Sequence, residues 1–532
     1  MNKNLLKLQN EFLDLYCRFY PVTATSLGLK KGLEDFQSYS SQEIASYLQN
    51  LKKMEAQLAS FRISKLSVHD QIDLELLQKK ILLEKNDLQK LKTFEKDPGV
   101  YLGEVLYGIW YLLIRPFSKV EKKKALLERI RKIPEHFKSA EKNLIQMSPL
   151  WVVIALQECG SLVSFLKDCE KQWQNVYGTQ KKIFKKYCKE AGLAALRFEN
   201  FLKAQLKKSK TSFAVGPKNF QFLLKNYHGF SESSQQLLKI GQQAFVRTQK
   251  ELQDLAKKSF EVTRWEKAVD VVKQDHPASN HLIKTYQKEV ERLKSFIRKK
   301  DLVTLPSKES LKVIETPLFS RSTIPYAAYI DPPLFHSDRT GHFFVTPIPK
   351  NKESQHLLKE HAHASLVVTA LHEGYPGHHL QFVHQANQTR PIRKIFNASS
   401  YYEGWALYCE EMMHEAGYYS NDSRLLQLKD RLWRACRVIV DIQMQTQKMS
   451  DVAAVNFLSK NARMAKASAR GDVNWYTQRP TVPMSYLIGM MKIQQLREKA
   501  KIKWGRLFSL KRFHDWFLSF GAIPLSIIER AL

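Results

Sequence analysis

Cysteine is scarce and acidic side chains are outnumbered, and both facts remove classes of protein. Six cysteines (Cys17, Cys159, Cys169, Cys188, Cys409 and Cys436) are spread over 532 residues with no Cys-x-x-Cys pair among them. That spacing argues against a disulfide framework and predicts free thiols in a reducing compartment. The N-terminus, Met1-Asn-Lys-Asn-Leu-Leu-Lys-Leu-Gln-Asn, lacks a sustained apolar segment and a small-residue cleavage site, so it does not read as a secretory signal. The most apolar stretches, around 101–114 and 149–156, are too short to cross a bilayer. The expectation is a soluble, cytoplasmic protein without a membrane span, with signal-free secretion left open. Lys and Arg number 84 against 52 Asp and Glu, for a formal net charge of +32. That balance favours anionic partners and raises solubility. No nucleic-acid-binding motif accompanies it, and the lysine runs at 122–124 and 181–189 read as a solvated surface.

What is present is ordinary for a globular chain: 44% hydrophobic and 26% charged residues. The length suits two or more domain-sized units, or one large helical body around a cleft, with a core that needs no disulfides. Residues 1–300 carry helical spacing, beginning with Leu5, Leu8, Phe12 and Tyr16. Asp97-Pro98-Gly99 reads as a turn, and Asn143 to Pro149 as a helix break. Neither an internal repeat nor a low-complexity linker divides the chain. From 301 to 350 the pattern changes. Residues 311–316, 324–330 and 342–346 read as short strands between Pro and Gly turns. Helical spacing returns over 353–371, and again over 422–449, 451–469, 484–500 and 510–520. The expected organisation is a helical region, 1–300, forming one wall of a cleft, followed by a catalytic region, 301–532. His356, His361 and His363 read as surface or packing residues, too far along the helix to share a coordination sphere with His372.

The densest chemistry lies in His372-Glu373-Gly374-Tyr375-Pro376-Gly377-His378-His379. Two imidazoles flank a carboxylate, and Glu403-Gly404-Trp405 supplies another acid downstream. A catalytic zinc takes three ligands from His, Glu or Asp and keeps one position for water. The metal acidifies that water, and a neighbouring carboxylate takes its proton. The familiar His-Glu-x-x-His motif places its two His four apart on one helix face. His372 and His378 are six apart, about 120° away from each other on an ideal helix. Pro376 disfavours a regular helix here, and Gly374 and Gly377 let the backbone bulge, so either His378 or His379 can reach the metal. A single His or Glu on a helix is most often a surface or core residue. Two His and two acids at motif spacing, with Gly and Pro between them, point instead to a metal site.

The motif resembles gluzincin-type zinc peptidases. Some of those carry His-Glu-x-Gly-His, and the dipeptidyl peptidase III type has one more residue inserted. The resemblance implies that the His after glycine, His378, is the second ligand. It also implies that Glu403 is the third, from a pattern like Glu-x-x-Ser/Ala-x-x-x-Glu. Glu410, seven residues after Glu403, shares its helix face and is expected behind the ligands, orienting a His.

Over nearly its whole length the chain resembles a large bacterial family catalogued as domain of unknown function 885. The likeness rests on Pro21-Val-Thr-Ala-Thr-Ser-Leu-Gly28, Arg339-Thr-Gly-His-Phe-Phe, residues 372–381 and 403–410, Arg434-Ala-Cys-Arg437 with Asp441, Tyr486 with Gly489, and Phe513-His-Asp-Trp-Phe-Leu-Ser-Phe-Gly-Ala-Ile-Pro524. It implies a mainly α, zincin-like metallohydrolase with a deep cleft and a small β-sheet next to the zinc-binding helix. The chain departs from the family pattern at Gln445, Trp475, Val482 and Leu487, implying changed specificity or a site that has lost activity.

The expectation combines these readings. His372, His378 and Glu403 hold one zinc ion per chain and Glu373 is the general base. His379 is an alternative ligand, and Tyr486 stabilises the developing oxyanion. Arg437 pairs with Asp441 or binds a substrate carboxylate, and Gln445 lines the substrate site. The partner is a short peptide or amide, the sheet edge can pair with an extended peptide, and the oligomeric state stays open. The rivals are an amidohydrolase acting on non-peptide amides and a catalytically decayed metal-binding scaffold.

Overall fold

Helices carry most of the chain, as the three-to-four-residue apolar spacing predicts. The computed structural model describes residues 1–317, 321, 324, 326–349, 351 and 354–532, apart from the side chains of 174, 175 and 355. Pro325 and Glu353, each inside or at the end of an expected element, lie outside the described residues. Lys3–Phe19 buries Leu5, Leu8 and Phe12, the stripe read from the sequence. Helix ends fall where local chemistry puts them. Ser118 and Glu121 form a reciprocal capping box at the start of Lys119–Asn143. The expected breaks at Asp97-Pro98-Gly99 and at 143–149 are both present.

One expectation is corrected here. The apolar stretch at 149–156 opens a longer helix, Pro149–Val176. Its 25-residue Pro149–Trp173 segment is long and apolar enough to cross a membrane by length and composition. Val152, Ala155, Leu162, Phe165 and Trp173 are buried in a cluster with residues of the neighbouring helices between Tyr101 and Leu202. The apolar face therefore packs as a core helix does. A larger cluster joins residues from both expected regions, from Leu5 to Ile528.

Three strands form the sheet: β1 (Ser310–Glu315), β2 (Ala327–Ile330) and β3 (Thr340–Val345), in the order β1-β3-β2. β1 runs parallel to β3, with Ser310 opposite Thr340, and β2 antiparallel, with Ala327 opposite Val345. Central β3 is the buried strand, whereas β1 is largely exposed, as an edge strand is.

The last third is again helical. Ser399–Glu415, Asn421–Gln445 and Val482–Trp504 pack together. The continuous helix expected over 451–469 is instead two, Asp451–Asn461 and Lys466–Gln478. Between them Arg463 adopts a left-handed φ of 55°, which ends the first helix without Gly or Pro.

Candidate metal centre

The motif folds as two helices with a break between them, not as one bulged helix. His363–Glu373 ends on the motif's first His-Glu pair, and His378–Ala386 begins on its second His. The bond between Tyr375 and Pro376 is cis. Gly374 and Gly377 make the close return of the chain sterically feasible. A Cβ on Gly377 would lie 2.0 Å from the His372 carbonyl oxygen, and one on Gly374 would lie 2.6 Å from that of Ala370. Pro376 O accepts the indole N–H of fully buried Trp405 at 2.8 Å, and Cys409 Sγ donates to it at 3.6 Å. Both donors sit on Ser399–Glu415, so the helix that carries Glu403 also fixes the break. The sheet packs on the other side. Leu311 of β1 faces Gly374, and Gly341 of β3 lies against the His379 ring.

This arrangement brings His372, His378 and Glu403 together, with one ligand atom from each within 4.8 Å of the others. His378 Nε2 stands 3.3 Å from Glu403 Oε2, and His372 Nε2 stands 3.8 Å from it. Tetrahedral zinc with bonds near 2.0–2.1 Å separates its ligand atoms by about 3.3 Å, so the donor set fits that ion. Apart from the two imidazoles 3.3 and 3.8 Å away, buried Glu403 Oε2 has no partner among the described residues, which also suits a cation. Behind the trio, His372 Nδ1 lies 2.8 Å from Glu410 Oε1. That contact takes the Nδ1 proton and aims Nε2 at Glu403. Glu373 is half-buried and makes no hydrogen bond among the described residues, and its charge acts on His372. Tyr486, on Val482–Trp504, lies beside Glu403. The three ligand side chains are only 8%, 9% and 12% exposed, so the centre is nearly closed to solvent.

Without a metal, a proton on His372 is held between two carboxylates. Burial opposes charge on His372, but Glu403 and Glu410 on its two sides hold the proton and raise its pKa from 6.5 to about 10. Burial likewise opposes ionisation of Glu403, yet His378 and His372 keep its carboxyl well below the usual range. A raised folded-state pKa stabilises the metal-free protein fully below about pH 6.5, and this contribution is lost as pH rises through about 10. Near neutral pH a zinc ion taking His372 Nε2 would have to displace that proton. Calorimetry in buffers of different ionisation enthalpy is expected to show release of about one proton per zinc bound. Zinc binding with no proton release would contradict the assignment of His372.

Three expected roles are corrected. His379 is not an alternative ligand, because Nε2 is 2.8 Å from Glu309 and Nδ1 is 3.1 Å from the Tyr329 hydroxyl. Both ring nitrogens are used, and the side chain anchors the break to the sheet. Gln445 does not line a substrate site, since it is fully buried. Its amide donates to Tyr476 O and Thr477 O, and its Oε1 accepts from Val215 N. Arg437 and Asp441 do not pair. Asp441 accepts the backbone N–H groups of Thr481 and Met484, while Arg437 Nε donates to the Tyr476 hydroxyl.

The family model described as bacterial protein of unknown function (DUF885) matches residues 21–532. The chain belongs to this family. The DUF885 match includes every residue of the trio and of its surroundings. Two solved structures share the DUF885 chain's fold. One, described as a candidate lipoprotein of unknown function from Shewanella oneidensis, has a TM-score of 0.82 at 23% identity and covers 99% of both chains. The other, a candidate lipoprotein from Colwellia psychrerythraea, has a TM-score of 0.82 at 18% identity and covers 99% of this chain and 98% of its own. Comparison with curated proteins gives no match.

The structure also adds residues that sequence reasoning missed. Glu309, just before β1, takes hydrogen bonds from both His379 and Tyr375 and is paired with Lys294 at 3.1 Å. Tyr329, Phe382 and Tyr402 place their rings 6.1–6.4 Å from the His378 ring. Phe382 is four residues from His378 on one helix, a spacing that could have flagged it. Glu309 carries no such signal, and Tyr329 stood out only as part of the strand expected over 324–330, because the sheet brings both in from far along the chain.

Proposed function

We propose that this DUF885 chain is a zinc-dependent, zincin-like hydrolase acting on short peptides. The observation that carries the reading is the layered set of His372, His378 and Glu403, with Glu410 bound behind His372 at 2.8 Å. An ion held by those three would supply Lewis acidity toward a water and a substrate carbonyl. Glu373 accepts the proton of the attacking water and passes it to the leaving amine. Glu410 keeps His372 in the tautomer that presents Nε2. The Tyr486 hydroxyl donates to the oxyanion as it develops. The nearly closed centre limits what can enter to small or extended chains, and β1 and β2, the outer strands of the sheet, suit an extended peptide.

The reading keeps the protein in the cytoplasm, supported by six buried free thiols, although both structural neighbours are described as candidate lipoproteins. The test is hydrolysis of a peptide panel and a panel of N-acyl amides by the zinc-loaded protein beside Glu373→Gln. Cleavage confined to N-acyl amides would replace the peptidase by an amidohydrolase. Equal behaviour of the two proteins would contradict hydrolysis at this centre.

A further inference from the structure

Two guanidinium groups near the trio carry buried hydrogen-bond donors that have no partner among the described residues. Arg434 and Arg437 lie three residues apart on Asn421–Gln445, hence on neighbouring turns of one face. Arg437 is 6% exposed. Its Nε donates to the Tyr476 hydroxyl at 2.8 Å and its Nη2 stands 3.6 Å from Asp472. Its Nη1 is buried and has no partner among the described residues. Arg434 makes no hydrogen bond among the described residues, and its Nε and Nη1 are both buried. Asp430, whose carboxylate Lys429 contacts at 3.3 Å, adds only a longer-range attraction to Arg434.

Both guanidiniums lie against the same two rings. Arg434 is 3.9 Å from the Trp433 centroid and 5.2 Å from that of Tyr486, and Arg437 is 4.0 Å and 4.8 Å from them. Tyr486 also adjoins Glu403. One tyrosine ring therefore separates the paired arginines from the trio. Buried charged donors without partners are uncommon in native proteins and call for an explanation. The planar guanidinium fork matches a carboxylate, and the rings hold it in place.

We propose that Arg434 and Arg437 bind the free carboxylate at the end of a peptide substrate, which makes the centre a carboxypeptidase. This rests on the hydrolase reading and names its substrate end. With one tyrosine ring between the arginines and the trio, the cut falls near the carboxy end. Hydrolysis balances with water alone. The C–N bond breaks, the hydroxyl joins the carbonyl carbon, and the amine leaves with the proton.

Binding tests this without turnover. Zinc-loaded E373Q protein is titrated calorimetrically with N-acetylated tripeptides ending in alanine, phenylalanine, lysine or glutamate, each as free acid and as carboxamide. The expected result is that the acids bind about tenfold or more tightly than their amides. R434Q, at the half-buried position, and R437K, which keeps the charge but loses the fork, should remove that preference while thermal melts show both variants folded. Equal binding of acid and amide, or no binding of any acid, overturns the proposal. An acid preference that survives both variants overturns the arginine assignment. A glutamate-ending amide that binds as tightly as the acids replaces the terminal carboxylate by a side-chain one and overturns the carboxypeptidase. Because the readout is binding and not turnover, any of these failures leaves the hydrolase reading standing.

Discussion

Glu373→Gln lowers kcat/KM for peptide hydrolysis by about 100- to 10,000-fold while leaving zinc bound, on the mechanism proposed here. Glutamine keeps the shape and the hydrogen-bonding oxygen but cannot accept a proton from water. The residue is suited to the role by its place. It is the last residue of His363–Glu373, half-buried next to His372, and makes no protein hydrogen bond among the described residues. Zinc content should not change, because the trio that fits the ion does not include Glu373. Steady-state kinetics beside elemental analysis separates the outcomes. Activity within a few-fold of wild type would remove Glu373 as general base, and loss of zinc would make it a ligand.

Gly489→Ala should cost about 3 kcal/mol of stability, near the upper end for overpacking, because the added methyl group meets backbone. The helices Ser399–Glu415 and Val482–Trp504 cross at Gly404 and Gly489. A Cβ at Gly489 would stand 2.2 Å from the Ser400 carbonyl oxygen and 2.9 Å from Gly404 Cα. No side-chain rotation relieves either contact, so the helices must separate. Glu403 precedes Gly404 directly, and Tyr486 lies one turn before Gly489. Separation should therefore also pull Glu403 from the histidines and, on the proposed function, weaken zinc binding. Gly471→Ala is the control. Its Cβ meets nothing within 4 Å, and alanine in Lys466–Gln478 should stabilise by roughly 0.5–1 kcal/mol. Denaturant unfolding measures both, and an unchanged midpoint for Gly489→Ala would contradict the role of the crossing.

Much of this was legible in the sequence where local chemistry decides. Pro376 between two glycines announced the interruption after Glu373, and the seven-residue spacing of Glu403 and Glu410 put both acids on one face. The strands expected over 311–316, 324–330 and 342–346 followed from their apolar runs and turns, and the second begins only at Ala327. What was not legible depends on partners far along the chain. Residues 378 and 379 could be separated only by seeing Glu309 and Tyr329 take up both nitrogens of the second histidine. Arg437 and Asp441, four apart on a helix, look like an ion pair by spacing. The structure gives Asp441 instead to the backbone at the start of Val482–Trp504, a contact no helical pattern reveals. Gln445 stood out as a departure, yet three backbone partners make it a clasp between segments, so its identity says little about the reaction.

The most direct measurement is the zinc content of purified, zinc-supplemented protein, taken side by side for wild type, His372→Ala and His379→Ala. The account predicts about one zinc per chain in the wild type and in His379→Ala, and none in His372→Ala. Folded wild-type protein without stoichiometric zinc, or zinc that survives His372→Ala, would contradict it.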